Sequence, residues 1–94
     1  MIISELSIFP LGEGVSVSKY VRKILTLIES SGFKYEKGGM STTIETPDLA
    51  SLMKLVEESY DVLRKEGTKR IIINLKIDAR TDKNATIESK KSEI

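Results

Sequence analysis

The sequence contains no cysteine and no histidine. Without cysteine the chain has no disulfide, no thiolate metal site and no cysteine nucleophile. Without histidine it lacks the commonest general base, the commonest zinc ligand and any Ser-His-Asp triad. These two absences exclude more chemistry than any other feature of the composition.

The charges are nearly balanced, with 15 Lys and Arg against 14 Asp and Glu. Proteins dedicated to nucleic acids normally carry a clear basic surplus, so we expect no nucleic-acid partner. No segment approaches the roughly 20 apolar residues of a membrane helix, and residues 1–11 lack the basic start of a signal peptide. A cytoplasmic protein without a membrane partner is therefore expected. Its 94 residues allow one modest core, which makes self-association a plausible aid to stability.

Four segments have the composition of β-strands, and two have apolar residues at helical spacing. The predicted strands are residues 2–9, 33–36, 40–45 and 70–77. The helical stripes are Val17, Tyr20, Val21, Ile24, Leu25 and Ile28, followed by Leu49, Leu52, Met53, Val56, Tyr60 and Leu63.

Turn and cap residues mark the ends of these predicted elements. Gly38-Gly39 predicts a hairpin between the second and third strands. Thr46 is the predicted N-cap of the second helix, with Pro47 at its first position, and Gly32 and Gly67 end the two helices.

The order β-α-β-β-α-β predicts an α+β, ferredoxin-like βαββαβ sandwich. Right-handed crossovers give a four-stranded antiparallel sheet of order 4-1-3-2 with two helices on one face. We assign residues 1–83 to this domain and residues 84–94 to a C-terminal tail or short helix.

Strand alternation collects polar residues on the helix-free face of the sheet. They are Glu5, Ser7, Thr43, Glu45, Asn74 and Lys76. One interpretation is a solvated face on which both glutamates pair with Lys76. The other is a recognition surface, because two carboxylates and one ammonium form an acidic patch that suits a cationic or amine-bearing small molecule. Sheet-to-sheet packing of subunits would close that surface into a pocket.

A series of short segments, in order along nearly the whole chain, carries a family resemblance. They are Glu5-Leu6, Pro10-Leu11-Gly12, Ser16-Val17-Ser18-Lys19-Tyr20-Val21, Ser31-Gly32-Phe33-Lys34-Tyr35, Gly39-Met40-Ser41-Thr42-Thr43-Ile44-Glu45, Gly67, Arg70, Lys76-Ile77-Asp78-Ala79-Arg80-Thr81-Asp82-Lys83 and Lys90. With these residues at these spacings, the chain resembles the thiamine-binding protein family of small ferredoxin-like domains, the YkoF-like group.

The resemblance implies a protein that is not an enzyme and needs no cofactor or metal. It implies binding of thiamine or its hydroxymethylpyrimidine moiety in a pocket near a subunit interface, and assembly through the sheets into dimers or tetramers. The candidate ligand-binding residues lie on the polar face, and two serines at the start of the first helix are second-line candidates. These residues are Glu5, Ser7, Thr43, Glu45, Asn74, Ser16 and Ser18.

Other functions fit the same fold less well. An RNA-binding sheet needs two or three stacking aromatics, and only Phe9 qualifies. Acyl phosphate hydrolysis on a similar fold uses an arginine after the first strand, and residues 10–14 contain none. A regulatory module that binds amino acids is the main alternative. The exact ligand and the choice between transport, storage and delivery stay open.

Overall fold

A four-stranded antiparallel sheet in the order β2-β3-β1-β4 organises the fold. The computed structural model describes residues 1–12 and 17–92. Its elements are β1 (Ile2–Pro10), α1 (Val17–Ser30), β2 (Lys34–Lys37), β3 (Thr42–Thr46), α2 (Leu49–Lys65), β4 (Ile71–Ala79) and α3 (Ile87–Ser92). This order confirms the predicted ferredoxin-like α+β class, since it equals 4-1-3-2.

The main core lies between one face of the sheet and the two long helices. Leu6, Ile8 and Ile44 point from the strands into this layer, where they meet the buried stripes of α1 and α2. Ile28 and Leu52 at the centre are 1% and 0% exposed. Truncating such residues to alanine typically costs about 2–5 kcal/mol, so this layer carries the stability of the domain.

The ends of the elements correct some details of the sequence prediction. The N-cap of α2 is Asp48, which accepts a 2.7 Å hydrogen bond from the Ser51 backbone N–H, and not Thr46, which lies buried in β3. The third strand begins at Thr42, because Met40 lies in the hairpin loop and is 91% exposed. Tyr60, predicted to be in the core, is exposed.

The glycine predictions hold at both helix ends. Gly32 and Gly67 have φ values of 81° and 85°, in the left-handed region that favours glycine. The Gly38-Gly39 hairpin is also confirmed. Its strands pair from Lys34↔Glu45 to Lys37↔Thr42, closed by a 2.8 Å bond from Gly38 N–H to the Ser41 carbonyl.

A third helix lies on the face of the sheet that the sequence pattern left uncovered. Ile87 of α3 and the preceding Ala85 are 3% and 6% exposed and form a small apolar cluster with Ile3 of β1. The two long helices therefore share one face as predicted, and a short helix covers part of the other. Within residues 1–12 and 17–92, no helix has the length and apolar character needed to cross a bilayer.

Candidate functional site

The sheet register brings most of the predicted polar residues onto the face that carries α3. Glu5 of the central strand β1 lies opposite Thr43 on one side and Lys76 on the other, and Ser7 lies opposite Asn74. Directly paired residues of an antiparallel ladder point to the same side of the sheet. These five side chains therefore share one surface on three adjacent strands.

Glu45, the sixth predicted residue, has a specific structural partner. One of its carboxylate oxygens accepts a 2.9 Å hydrogen bond from the backbone N–H of Ile87, the first residue of α3, and Glu45 is 8% exposed. The first N–H groups of a helix have no partner within the helix, and a carboxylate is favoured there by the helix dipole. Glu45 thus fastens α3 to the sheet.

The beginning of α3 also has a local cap. The backbone N–H of Ser89 donates to Thr86 Oγ1 at 3.1 Å, and that of Thr86 donates to Ser89 Oγ at 2.9 Å. This reciprocal pattern is a capping box with serine in the position usually held by Glu or Gln. It satisfies backbone groups at the start of this short, polar helix and so adds to the contacts that hold α3 on the sheet.

Three ion pairs connect α3 with the strands beneath it. Lys90 pairs with Asp78 of β4, Lys91 pairs with Glu36 of β2 at 3.1 Å, and Glu88 pairs with Lys34 of β2 at 2.5 Å. The Lys90 ammonium lowers the pKa of the Asp78 carboxyl, first through its hydrogen bond and then through its charge.

The Glu88–Lys34 pair perturbs both of its partners. The hydrogen bond from Lys34 lowers the pKa of Glu88, and the same bond raises the pKa of Lys34. Each ion pair is solvent-exposed, so each contributes little by itself. Their importance is that all of them hold one short helix.

Beside α3 the sheet face forms a hollow of about 370 Å³, which we call the α3 hollow. Its lining comes from the strands and from α3. It includes Ile3, Glu5, Glu36, Thr43, Lys76, Asp78, Ile87, Lys90 and Lys91. A second depression of about 260 Å³, the outer hollow, shares Glu5 and Lys76 with the first and is also lined by Ser7 and Asn74. The first volume lies in the range of small-molecule sites, with an apolar floor and a few directed polar groups.

The charge of the α3 hollow differs from the sequence prediction. The predicted acidic patch counted two glutamates against one lysine. In the structure Glu45 is bonded to the N–H of Ile87 and does not line the hollow, whereas α3 contributes two lysines. The carboxylates that line the hollow belong to Glu5, Glu36 and Asp78, and the ammonium groups belong to Lys76, Lys90 and Lys91. The surface is balanced in charge and contains both signs.

The interpretation in which both glutamates pair with Lys76 also finds no ion pair to support it among the described residues. Glu5 and Lys76 occupy paired positions, yet in the described part of the chain neither forms an ion pair within 4 Å. Both are exposed. One carboxylate and one ammonium group therefore stand side by side at the centre of the site, available to a ligand.

The second-line candidates are not part of this surface. Ser18 lies in the first turn of α1, in the helical layer on the opposite side of the sheet. Ser16 lies outside the described residues.

Sequence reasoning missed the contribution of α3, which supplies Ile87, Lys90 and Lys91 to the hollow. The sequence contains a weak signal for this helix. Thr86 and Ser89 stand at capping-box spacing, with an acidic residue in the first turn and lysines in the last.

The fold and the site together define a class of small ferredoxin-like domains with a charged, ligand-sized hollow on the sheet. The chain belongs to the thiamine-binding protein family, whose model matches residues 4–94.

Similar proteins span nearly its whole length. The UPF0045 protein MJ1052 of Methanocaldococcus jannaschii is 39% identical over 93 residues, which cover 99% of this chain and 91% of the relative. The UPF0045 protein YqgV of Bacillus subtilis is 37% identical, covering 96% of this chain and 90% of the relative.

Solved structures show the same arrangement. The crystal structure of MJ1052 matches with a TM-score of 0.88 at 38% identity, covering 98% of this chain and 93% of that one. A Thermotoga maritima protein, TM0486, described as a candidate for thiamine biosynthesis or salvage, matches with a TM-score of 0.84 at 28% identity, covering 98% and 96% of the two chains.

Proposed function

We propose that this domain binds thiamine, or its hydroxymethylpyrimidine moiety, in the α3 hollow and performs no catalysis on it. The observation that carries the proposal is the Glu5 carboxylate, which forms no ion pair with any described residue and is flanked by the Thr43 hydroxyl in a hollow of ligand size. Membership of the thiamine-binding protein family supports the choice of ligand.

The lining groups match the chemistry of this vitamin. Thiamine carries a permanent positive charge on its thiazolium ring and an amino group on its pyrimidine. A carboxylate such as Glu5 can accept a hydrogen bond from the amino group, and a hydroxyl such as that of Thr43 can donate to a ring nitrogen. The apolar part of the lining comes from Ile3 and Ile87, which pack against each other and leave only a small area facing the hollow.

Titration calorimetry tests the proposal directly. Purified protein is titrated with thiamine and then with hydroxymethylpyrimidine, and saturable binding of either at a defined stoichiometry is expected. Glu5→Gln should weaken binding by roughly tenfold, the scale of one charge-assisted hydrogen bond. Glu57→Gln, an exposed change on α2 in the opposite layer, is the matched control and should bind as the unchanged protein does.

The other outcomes have distinct meanings. Equal affinity of the Glu5 and Glu57 variants would remove Glu5 from the site. Silence toward both ligands would refute the proposal, and a panel of amino acids would then test the regulatory alternative on the same fold.

We also propose that copies of the chain assemble into dimers or tetramers in the cytoplasm. β4 is a nine-residue strand at the edge of the sheet, and its Ile73 and Ile77 side chains are 40% and 38% exposed. Long apolar edge strands favour pairing with another chain.

Light scattering on the full chain should give a mass above that of one copy, and deletion of residues 85–94 should weaken assembly more than folding. An unchanged mass after deletion would mean that α3 takes no part in assembly.

A further inference from the structure

The α3 hollow contains more positive charge than a simple cation requires. Lys76, Lys90 and Lys91 all border it, and Lys76 forms no ion pair in the part of the chain that the structure describes. A ligand that carried only positive charge would bind Glu5 while lying against the Lys76 ammonium, and like charges that close repel. The arrangement suits a ligand with charges of both signs.

We propose that the α3 hollow takes its ligand in phosphorylated form, as a phosphate ester of thiamine. The amino or cationic ring lies toward Glu5, and the phosphate is held by Lys76 with help from the lysines of α3. This inference rests on the proposed thiamine-binding function and adds the anionic half of the ligand.

The two lysines of α3 are able to serve a ligand despite their present partners. The side chains of the Lys90–Asp78 pair are each 40% exposed, and those of the Lys91–Glu36 pair are 63% and 50% exposed. Such exposed pairs are weak, so their ammonium groups can share a stronger anion with little loss. Lysine binds phosphate as a compact point charge and does not need the fixed geometry of arginine.

The space beside Lys76 agrees with this assignment. Lys76 and Glu5 line both the α3 hollow and the outer hollow, so a ligand centred on them can extend from one into the other. The outer hollow adds the Ser7 hydroxyl and the Asn74 amide, which can form hydrogen bonds with the pyrimidine end of the ligand while the phosphate lies among the lysines of the α3 hollow.

The test compares thiamine with thiamine monophosphate by calorimetry, in low salt and again in 0.5 M NaCl, a concentration at which exposed charges are screened within roughly 4 Å. The monophosphate should bind roughly tenfold more tightly than thiamine in low salt, and this preference should shrink in high salt. Lys76→Gln should abolish most of the preference. Lys65→Gln, which removes an exposed lysine from α2 in the opposite layer, should keep it.

A second variant protects the test against a folding defect. Lys91→Gln alters an exposed side chain, so it should fold normally and reduce the preference in part. Inorganic phosphate should compete only weakly. If it competes as well as the monophosphate does, the lysines bind a free anion and the proposal is refuted.

Failure of this inference is distinguishable from failure of the proposed function. If thiamine binds as tightly as its monophosphate and Lys76→Gln changes nothing, the phosphate inference fails and thiamine binding stands. If neither compound binds, both fail together.

Discussion

Replacing Ile87 by alanine tests whether α3 opens as a unit separate from the domain. Ile87 is 3% exposed and packs with Ile3 and Ala85 away from the main core. The change removes three buried methyl or methylene groups at about 0.8 kcal/mol each, a loss of about 2 kcal/mol. At 1.4 kcal/mol for each factor of ten, the equilibrium for undocking of α3 should shift about 30-fold toward the open state.

The free energy lost at this position is limited by the docking of α3 itself. Once α3 leaves the sheet, Ile87 is in water in both proteins and the substitution has no further effect. Global unfolding in urea should therefore lose no more free energy than the docking of α3 supplies, while hydrogen exchange of the amides of residues 89–92 should accelerate. Leu52→Ala, at a position 0% exposed in the main core, is the control and should lower global stability by about 2–5 kcal/mol.

The reasoning is refuted by one clear result. If Ile87→Ala lowers the midpoint of global unfolding as far as Leu52→Ala does, with α3 still protected from exchange, then α3 belongs to the same cooperative unit as the core.

Three further predictions follow from individual contacts. Glu45→Ala should speed hydrogen exchange in α3 and weaken ligand binding. Glu45→Gln keeps an acceptor for the N–H of Ile87, so it should restore most of the protection of α3 and most of the affinity. Loss of binding in Glu45→Gln with α3 still protected would indicate that Glu45 contacts the ligand directly. The pKa values of Asp78 and Glu88 are lowered in the docked state from 3.8 and 4.5, so their contribution is complete above those values and lost as the pH falls through the lowered ones. The protection factors of the α3 amides, which are exchange rates corrected for the intrinsic effect of pH, should be steady from neutral pH down to 4.5 and then fall. A fall that begins near neutrality would contradict this. Gly67→Ala should lower the free energy of unfolding in urea by about 1 kcal/mol, because φ is +85° there although a Cβ would meet nothing within 4 Å; Gly39→Ala, with equal space and no positive φ, should be near neutral.

The sheet and its polar face were predictable because they depend on local patterns. Period-two alternation placed Glu5, Ser7 and Thr43 on one side, and a one-residue error of register would have moved them to the other. The small errors at Met40 and Thr46 concern the ends of elements. There, several polar residues compete for the same role and tertiary packing decides.

The charge of the site was not predictable, because it depends on where the short C-terminal helix α3 packs against the sheet. Six residues have too few internal hydrogen bonds to form a stable helix by themselves. α3 exists through contacts with distant partners, chiefly the bond between Glu45 and Ile87, 42 residues apart in the chain. No periodicity within residues 84–94 predicts that Glu45 bonds to Ile87 or that Lys90 and Lys91 line the hollow.

The α3 hollow has a floor on the central strands and a wall made by the short helix α3. The floor is fixed by two hydrogen-bonded ladders, whereas the wall depends on one apolar side chain, one buried carboxylate and exposed ion pairs. For a bound ligand, we expect the floor to decide which molecule is recognised and the wall to decide its residence time. Substitutions in β1 should then change selectivity, and substitutions in α3 should appear mainly as faster dissociation.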